Sequence, residues 1–293
     1  MLIRQKIWPF STRAYGTFMQ SIRTNRSQRS LPAAKYWAIL RTQVQNSFAY
    51  PLDLLARSAT ILVFLWVFVN LWRVTYGAMG SQRIAGLSLA DTLWYLLMGE
   101  AVMLSKRDLS KDISDQVKDG SVAYLLNKPF NFILYHFAAG LGDSLLVFVT
   151  NALLGSALVW WLVGPPPGLL GWAAAFLAAL LALLLDFCFS ALIGLSAFIA
   201  EEVSAFRWIY QKFLLVLGGL LIPLDFFPEW LQNLSHALPF AWIVYGPARL
   251  FVDPSAARLA DVLLHQVGWL LGMGFAVALF YRWVVGQLTI NGG

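Results

Sequence analysis

Charge is scarce in this sequence. Only 12% of its 293 residues are Asp, Glu, Lys or Arg, while 59% are apolar and the mean hydropathy is +0.66. A globular chain in water carries about 25% charged and about 45–50% apolar residues. Roughly half the polar cover of a water-facing core is therefore missing, which excludes a soluble enzyme, a disordered tail and a secreted disulfide module. Cysteine is nearly absent as well. Cys188 stands alone, so there is neither an intramolecular disulfide nor a cysteine-rich metal site. Gly-Lys occurs nowhere, hence no GxxxxGK[ST] phosphate loop, and GxSxG, HExxH and EF-hand patterns are missing too. His136, His236 and His265 lie far apart and suggest no metal site. Isolated serines without a paired base give an intramembrane hydrolase nothing to work with. What remains is a polytopic membrane protein, with room for about six spans of roughly 20 residues.

The charge that is present is unevenly placed. Residues 1–49 hold eight basic residues (Arg4, Lys6, Arg13, Arg23, Arg26, Arg29, Lys35, Arg41) and no acidic one, the first carboxylate being Asp53. The net charge of +6 therefore belongs to this segment, since the rest has 13 basic and 15 acidic residues. Beside a first span, such a segment reads as a cytoplasmic tail facing anionic headgroups, and no nucleic-acid partner is expected. An Arg- and Ser-rich transit peptide is the alternative reading of residues 1–30; no secretory signal is expected, because the first long apolar run starts near Leu54. Tyr15, Phe18, Met19 and Ile22 share one helical face, as do Trp37, Leu40, Val44 and Phe48. These helices either lie in the membrane interface or pack on the protein. Pro51 should separate them from the membrane.

Six apolar stretches follow: Leu54–Trp72, Ala90–Leu104, Phe137–Val163, Leu169–Ala200, Phe206–Leu224 and Val262–Val285. The second is short, so it must be tilted, extended or sheltered. Gly164-Pro165-Pro166-Pro167-Gly168 forces a tight hairpin between the third and fourth. With both termini cytoplasmic, 17 of 21 Lys and Arg residues fall inside, and only Arg73, Arg83, Arg249 and Arg258 outside, as the positive-inside rule requires.

Four features stand out. In the inner loop Ser105–Pro129, Leu109, Ile113 and Val117 recur every fourth residue among Lys106, Arg107, Asp108, Lys111, Asp112, Asp115, Lys118 and Asp119. This predicts a short amphipathic helix capped by Gly120, either a solvated hairpin tip or an anchor for a cytoplasmic partner. After the fifth span, the run 218–231 with its prolines and glycines continues to Leu238-Pro239-Phe240. It predicts two short helices dipping back into the outer leaflet, with Trp230 and Trp242 at headgroup level, or else a plain external loop. Glu100, Asp143 and Asp186 fall inside the spans, at a cost on the order of 2.5–3.5 kcal/mol each unless paired. They are candidates for a substrate path, or else make interhelical hydrogen bonds or lie near an interface; Glu100 is the one placed to reach the cytoplasmic interface beside Lys106. Last, Glu201-Glu202 with Arg207 and Lys212 forms an inner link between spans four and five, a second partner surface or a solvated turn.

Several runs, in this order and spacing, carry a resemblance: Ile84-Ala85-Gly86-Leu87-Ser88, Leu93-Trp94-Tyr95-Leu96, Gly120-Ser121-Val122 with Leu126 and Lys128-Pro129, Ile222-Pro223-Leu224-Asp225-Phe226-Phe227-Pro228-Glu229-Trp230-Leu231, and Leu238-Pro239-Phe240. Over about residues 35–290 the chain resembles the type-2 permeases of ATP-binding-cassette transporters, in the branch of paired, uncharacterised bacterial permeases. The resemblance implies an all-α integral membrane protein of six transmembrane helices. Residues 1–50 would be the basic cytoplasmic segment with an amphipathic interface helix at about 34–50, and residues 51–293 the six-span permease domain. A coupling helix at about Arg107–Asp119 would dock on the ATPase, making Leu109, Asp112, Ile113, Asp115, Val117 and Gly120 coupling candidates. Re-entrant helices at about Ile222–Phe240 would close the outer side, with Pro223, Phe226, Phe227, Pro228 and Pro239 as gate candidates. The implied partners are two ATPase subunits, which hold the ATP and Mg, a second permease chain, identical or related, and membrane lipid. The chain itself would carry no cofactor and sit in the bacterial inner membrane, moving substrate, in the export direction, by alternating access. The alternative is an integral membrane enzyme or assembly factor in which Glu100, Asp143 and Asp186 converge. Residues before Leu31 exceed what the family core needs.

Overall fold

The computed structural model describes residues 33–290 apart from Pro167 and Glu201. The basic stretch before residue 33, with the expected face of Tyr15, Phe18, Met19 and Ile22, lies outside the described residues. Helix α1 (Ala33–Ala49) ends two residues before Pro51, which opens α2 (Pro51–Met79) at its first turn, where a proline lacks no bond that the helix needs. A two-residue hairpin follows, β1 (Arg83–Ile84) and β2 (Leu87–Ser88). Both of its central residues have positive φ, Ala85 at 47° and Gly86 at 83°, as a twisted hairpin turn demands. This hairpin, absent from the all-helix expectation, sets up α3 (Leu89–Ser105). The Ser88 hydroxyl accepts from the Asp91 N–H at 3.1 Å and the Asp91 carboxylate accepts from the Ser88 N–H at 3.0 Å, a reciprocal cap.

Beyond it come α4 (Leu109–Lys118), α5 (Val122–Leu126), α6 (Phe132–Val163), α7 (Leu169–Leu195) with a 3-10 turn at Ser196–Phe198, and α8 (Ser204–Val216). A second 3-10 turn, Leu224–Phe226, leads into α9 (Glu229–His236), α10 (Pro239–Ile243), α11 (Tyr245–Val252) and the long α12 (Ala256–Ile290).

Helix α3 is the axis of the bundle. Leu93, Trp94, Tyr95, Leu96 and Leu97 are all buried, enclosed by α2, α6 and α11, with α7 behind. Between apolar helices in lipid such burial stabilises through close packing and dispersion rather than through escape from water.

Among the described residues, four helices are long and apolar enough to cross a membrane: Pro51–Met79, Phe132–Val163, Leu170–Phe198 and Ala256–Gly286. The other two expected spans fall short. The 17 residues of α3 rise about 26 Å and the 13 of α8 about 20 Å, against a hydrocarbon core of about 30 Å. As a span, α3 would have the shelter that its shortness requires, since most of its residues are buried. The expected fifth span, to Leu224, stops instead at Val216: Gly219 has φ +72°, and the Tyr95 hydroxyl donates to its carbonyl at 2.7 Å. That bond replaces the one a continuing helix would have made.

Helix α1 is held by protein. Ser47 donates to Asp143 of α6 at 3.0 Å, and the Tyr36 hydroxyl accepts from the Asn131 N–H at 3.1 Å. Trp37 and Phe48 stay exposed, so the expected apolar face is split between the bundle and its surroundings.

Candidate functional site

The loop between α3 and α6 has the C-terminal cap that its sequence called for, and an N-terminal one besides. Asp108 opens α4 by accepting from the Lys111 N–H at 3.1 Å. Gly120 closes it with φ +77° and an N–H bond to the Val117 carbonyl at 3.3 Å, a conformation costly for any other residue. The ridge, however, faces the wrong way for an anchor. Leu109 and Ile113 are buried, and with half-buried Val117 they pack among Cys188, Ala191 and Leu195 of α7, Val122, Phe132 and Val277. A partner cannot reach those two side chains without pulling α4 off the bundle. What α4 exposes instead is Lys111, Asp115 and Lys118; Asp112 turns to Arg107, whose Nε donates to it at 2.7 Å.

The link before α8 joins this surface. Arg207 pairs with Asp108 at 3.3 Å, and Lys118 with Glu202 at 3.0 Å. The Lys118 hydrogen bond, followed by the Ser204 N–H, holds the exposed Glu202 carboxyl down at about 2. Gln116 and His136 meet at 3.1 Å and tie α4 to α6. Of the inner link, Glu201 lies outside the described residues. The two loops thus form one charged surface at the α4 end of the bundle.

The three carboxylates do not converge. Asp186 of α7 accepts from Lys106 Nζ at 2.7 Å and from the Tyr210 hydroxyl at 2.6 Å. Asp143 of α6 accepts from Ser47 at 3.0 Å and from Arg57 at 3.3 Å. Glu100 is 3% exposed and has no polar partner among the described residues, while Lys106 is engaged by Asp186. The membrane-enzyme alternative needed these groups in one place, and the structure puts them in three separate environments. Two cavities with mixed polar and apolar walls flank the Lys106–Asp108 linker. One, of about 720 Å³, includes Arg57, Asp53 and Asp143 in its wall, and the other, of about 290 Å³, includes Asp186 and Tyr210.

At the opposite end, the expected two short helices are α9 and α10, preceded by the 3-10 turn and extended by α11. Pro223 is buried before the turn, Phe226 leans on Trp72 with ring centroids 5.3 Å apart, and the Phe227 carbonyl accepts from Gln232 at 2.7 Å. Pro228 and Pro239 start α9 and α10. Trp230 is exposed, but Trp242 is buried, donating to the His236 carbonyl at 3.0 Å and stacking on His265. It is a packing residue. Asp225 fastens the segment: it accepts from Arg249 Nε at 3.2 Å and from the Tyr245 hydroxyl at 3.4 Å. The chain of ion pairs continues through Asp253 to Arg258, and the Arg258 hydrogen bond lowers the Asp253 carboxyl below its usual range. Arg249→Met is expected to cost about 3 kcal/mol, because it leaves Asp225 enclosed without its cation. Adding Asp225→Asn should recover part of the loss, read as thermal unfolding of the purified chain in detergent.

Sequence reasoning missed Lys106, Tyr210 and Asp225 as network members. The one available signal was arithmetic: a carboxylate in an apolar helix requires a donor, and Lys106 is a cation at the edge of a span.

A helical bundle with, among the described residues, four helices long and apolar enough to cross a membrane, a charged helix held at one end and a broken, proline-punctuated segment at the other fits a multi-pass membrane protein. The chain belongs to the ABC-2 transporter family: the family model described as "ABC-2 family transporter protein" matches residues 58–292. No match is found among curated proteins. Membership makes the chain a membrane permease, the transport subunit of an ABC transporter that works with an ATPase partner.

Proposed function

We propose that this chain is the membrane half of an ATP-driven exporter, crossing the bacterial inner membrane six times with both termini in the cytoplasm. Helices α2, α3, α6, α7, α8 and α12 would be the spans, α3 and α8 completing their crossings through the loops at their ends. Two ATPase subunits holding ATP and Mg and a second permease chain, identical or related, would complete the unit. The α4 helix is the coupling helix and α9–α10 the re-entrant outer gate.

The observation that carries this reading is the attachment of α4. It is clasped to α7 by Ile113 and to α8 by Asp108–Arg207. Its linker is clasped to α7 and α8 through the Lys106–Asp186–Tyr210 contacts. A push on the exposed Lys111–Asp115–Lys118 face by closing ATPases would therefore be delivered to both helices at once. The switch of access follows if those helices have two packings. Export is favoured because no segment resembles an external capture site. Affinity purification in mild detergent from the native host tests the reading. A co-purifying P-loop ATPase is the expected result; a chain that is active alone would contradict it.

A further inference from the structure

The 290 Å³ cleft between α3, α7 and α8 carries unequal charge. Its wall includes Lys106, Arg107, Arg207 and Lys212, but only two carboxylates, Asp108 and Asp186. Both carboxylates are engaged, Asp186 by Lys106 at 2.7 Å and Asp108 by Arg207 at 3.3 Å. Arg107 turns to Asp112 at 2.7 Å. Lys212 is left with no carboxylate among the described residues, and its ammonium stands 5.4 Å from the Trp208 ring. Beside it on α8, Phe206, Ile209, Phe213 and Val216 are exposed, which in lipid is a surface for hydrocarbon. A cation at the edge of a membrane helix ordinarily reaches for water or headgroups. Here Lys212 lines the rim of a cleft whose other charges are already balanced, and its own side chain stays exposed.

We propose that this cleft binds the anionic headgroup of an amphiphile, Lys212 supplying the counter-charge and the exposed apolar face of α8 taking the tail. The same chemistry is offered by a resident membrane lipid and by an anionic amphiphilic cargo. The inference names a substrate class for the transport reading and rests on it only for the idea of cargo, because binding is measured without ATP or a partner.

The test uses the purified full chain, stripped of lipid in neutral detergent and examined by native mass spectrometry with added phosphatidylglycerol or phosphatidylcholine. The unsubstituted chain should retain phosphatidylglycerol about fivefold better than phosphatidylcholine, the scale of one basic residue facing an anionic headgroup. Lys212→Gln should abolish that preference and Lys212→Arg should keep it. Lys111→Gln, on the exposed face of α4, should leave it unchanged. An unchanged preference in Lys212→Gln, or none in the unsubstituted chain, would overturn the proposal. Displacement of the lipid by inorganic phosphate would also overturn it, in favour of a site for a free anion. To separate cargo from resident lipid, phosphatidylglycerol flip is then followed in vesicles that contain the chain and its ATPase. ATP-dependent flip assigns the site to cargo, and bound lipid that does not flip assigns it to a structural lipid. Either result keeps the headgroup site, and a failure of the binding arm leaves the permease assignment standing.

Discussion

Gly194→Leu is expected to lever α4 off the bundle and disconnect the ATPase from the transport path. A Cβ at this position would lie 2.9 Å from Ile113 Cβ, 3.0 Å from Ile113 Cδ1 and 3.3 Å from Ser110 Cα. Two of the three obstacles belong to the first atoms of α4 residues, so a rotamer change of Ile113 cannot clear them. Overpacking of this kind costs about 1–3 kcal/mol, and a branched side chain belongs at the upper end. The bundle has other contacts to hold it, so the strain should be relieved by moving α4. Limited proteolysis should then cut within 106–120, and the ATPase should stop responding to the permease while the chain stays inserted. Gly77→Leu is the control. No atom lies within 4 Å of that Cβ, and stability should shift by less than about 0.5 kcal/mol.

Lys106→Met should have the larger effect on stability. The Lys106 and Asp186 side chains are 12% and 5% exposed, so removing the ammonium strands a buried carboxylate at a cost of about 3–5 kcal/mol. Replacing both, as Lys106→Met with Asp186→Leu, should restore most of that stability, because a well-packed apolar pair commonly substitutes for a buried ion pair. Coupling should not return with it. If the contact transmits displacement of the α4 linker into α7 and α8, the double variant folds, binds its ATPase and transports poorly. Full transport by the double variant would reduce the ion pair to a structural tie.

Some of this architecture could be read from the sequence and some could not. Long apolar runs, the Gly164–Gly168 stop and the Gly120 cap are local properties, and the helices end where those residues dictate. The orientation of the Leu109–Ile113–Val117 ridge is not local. A repeat of four on a short helix says that one face is apolar, not whether the cover comes from another chain or from Cys188, Ala191 and Leu195 of the same one. The fifth span shows a similar limit. Its apolar run continues to Leu224, but the helix ends at Val216 because Tyr95, more than a hundred residues away, bonds the Gly219 carbonyl. Trp242 had the composition of an interfacial residue, and its partners His236 and His265 come together only in the folded bundle. Asp186 announced that it needed a donor, yet nothing along the chain named Lys106, 80 residues earlier.

The central claim is that the charged outer face of α4 meets the ATPase. Cys188 is buried and is the only cysteine in the chain, so Asp115→Cys offers one accessible thiol for a photo-crosslinker. In membranes containing the assembled transporter, illumination should join position 115 to the P-loop ATPase, with a yield that changes between the nucleotide-free and ATP-bound states. Crosslinks to lipid or to the permease alone, in every nucleotide state, would contradict the account.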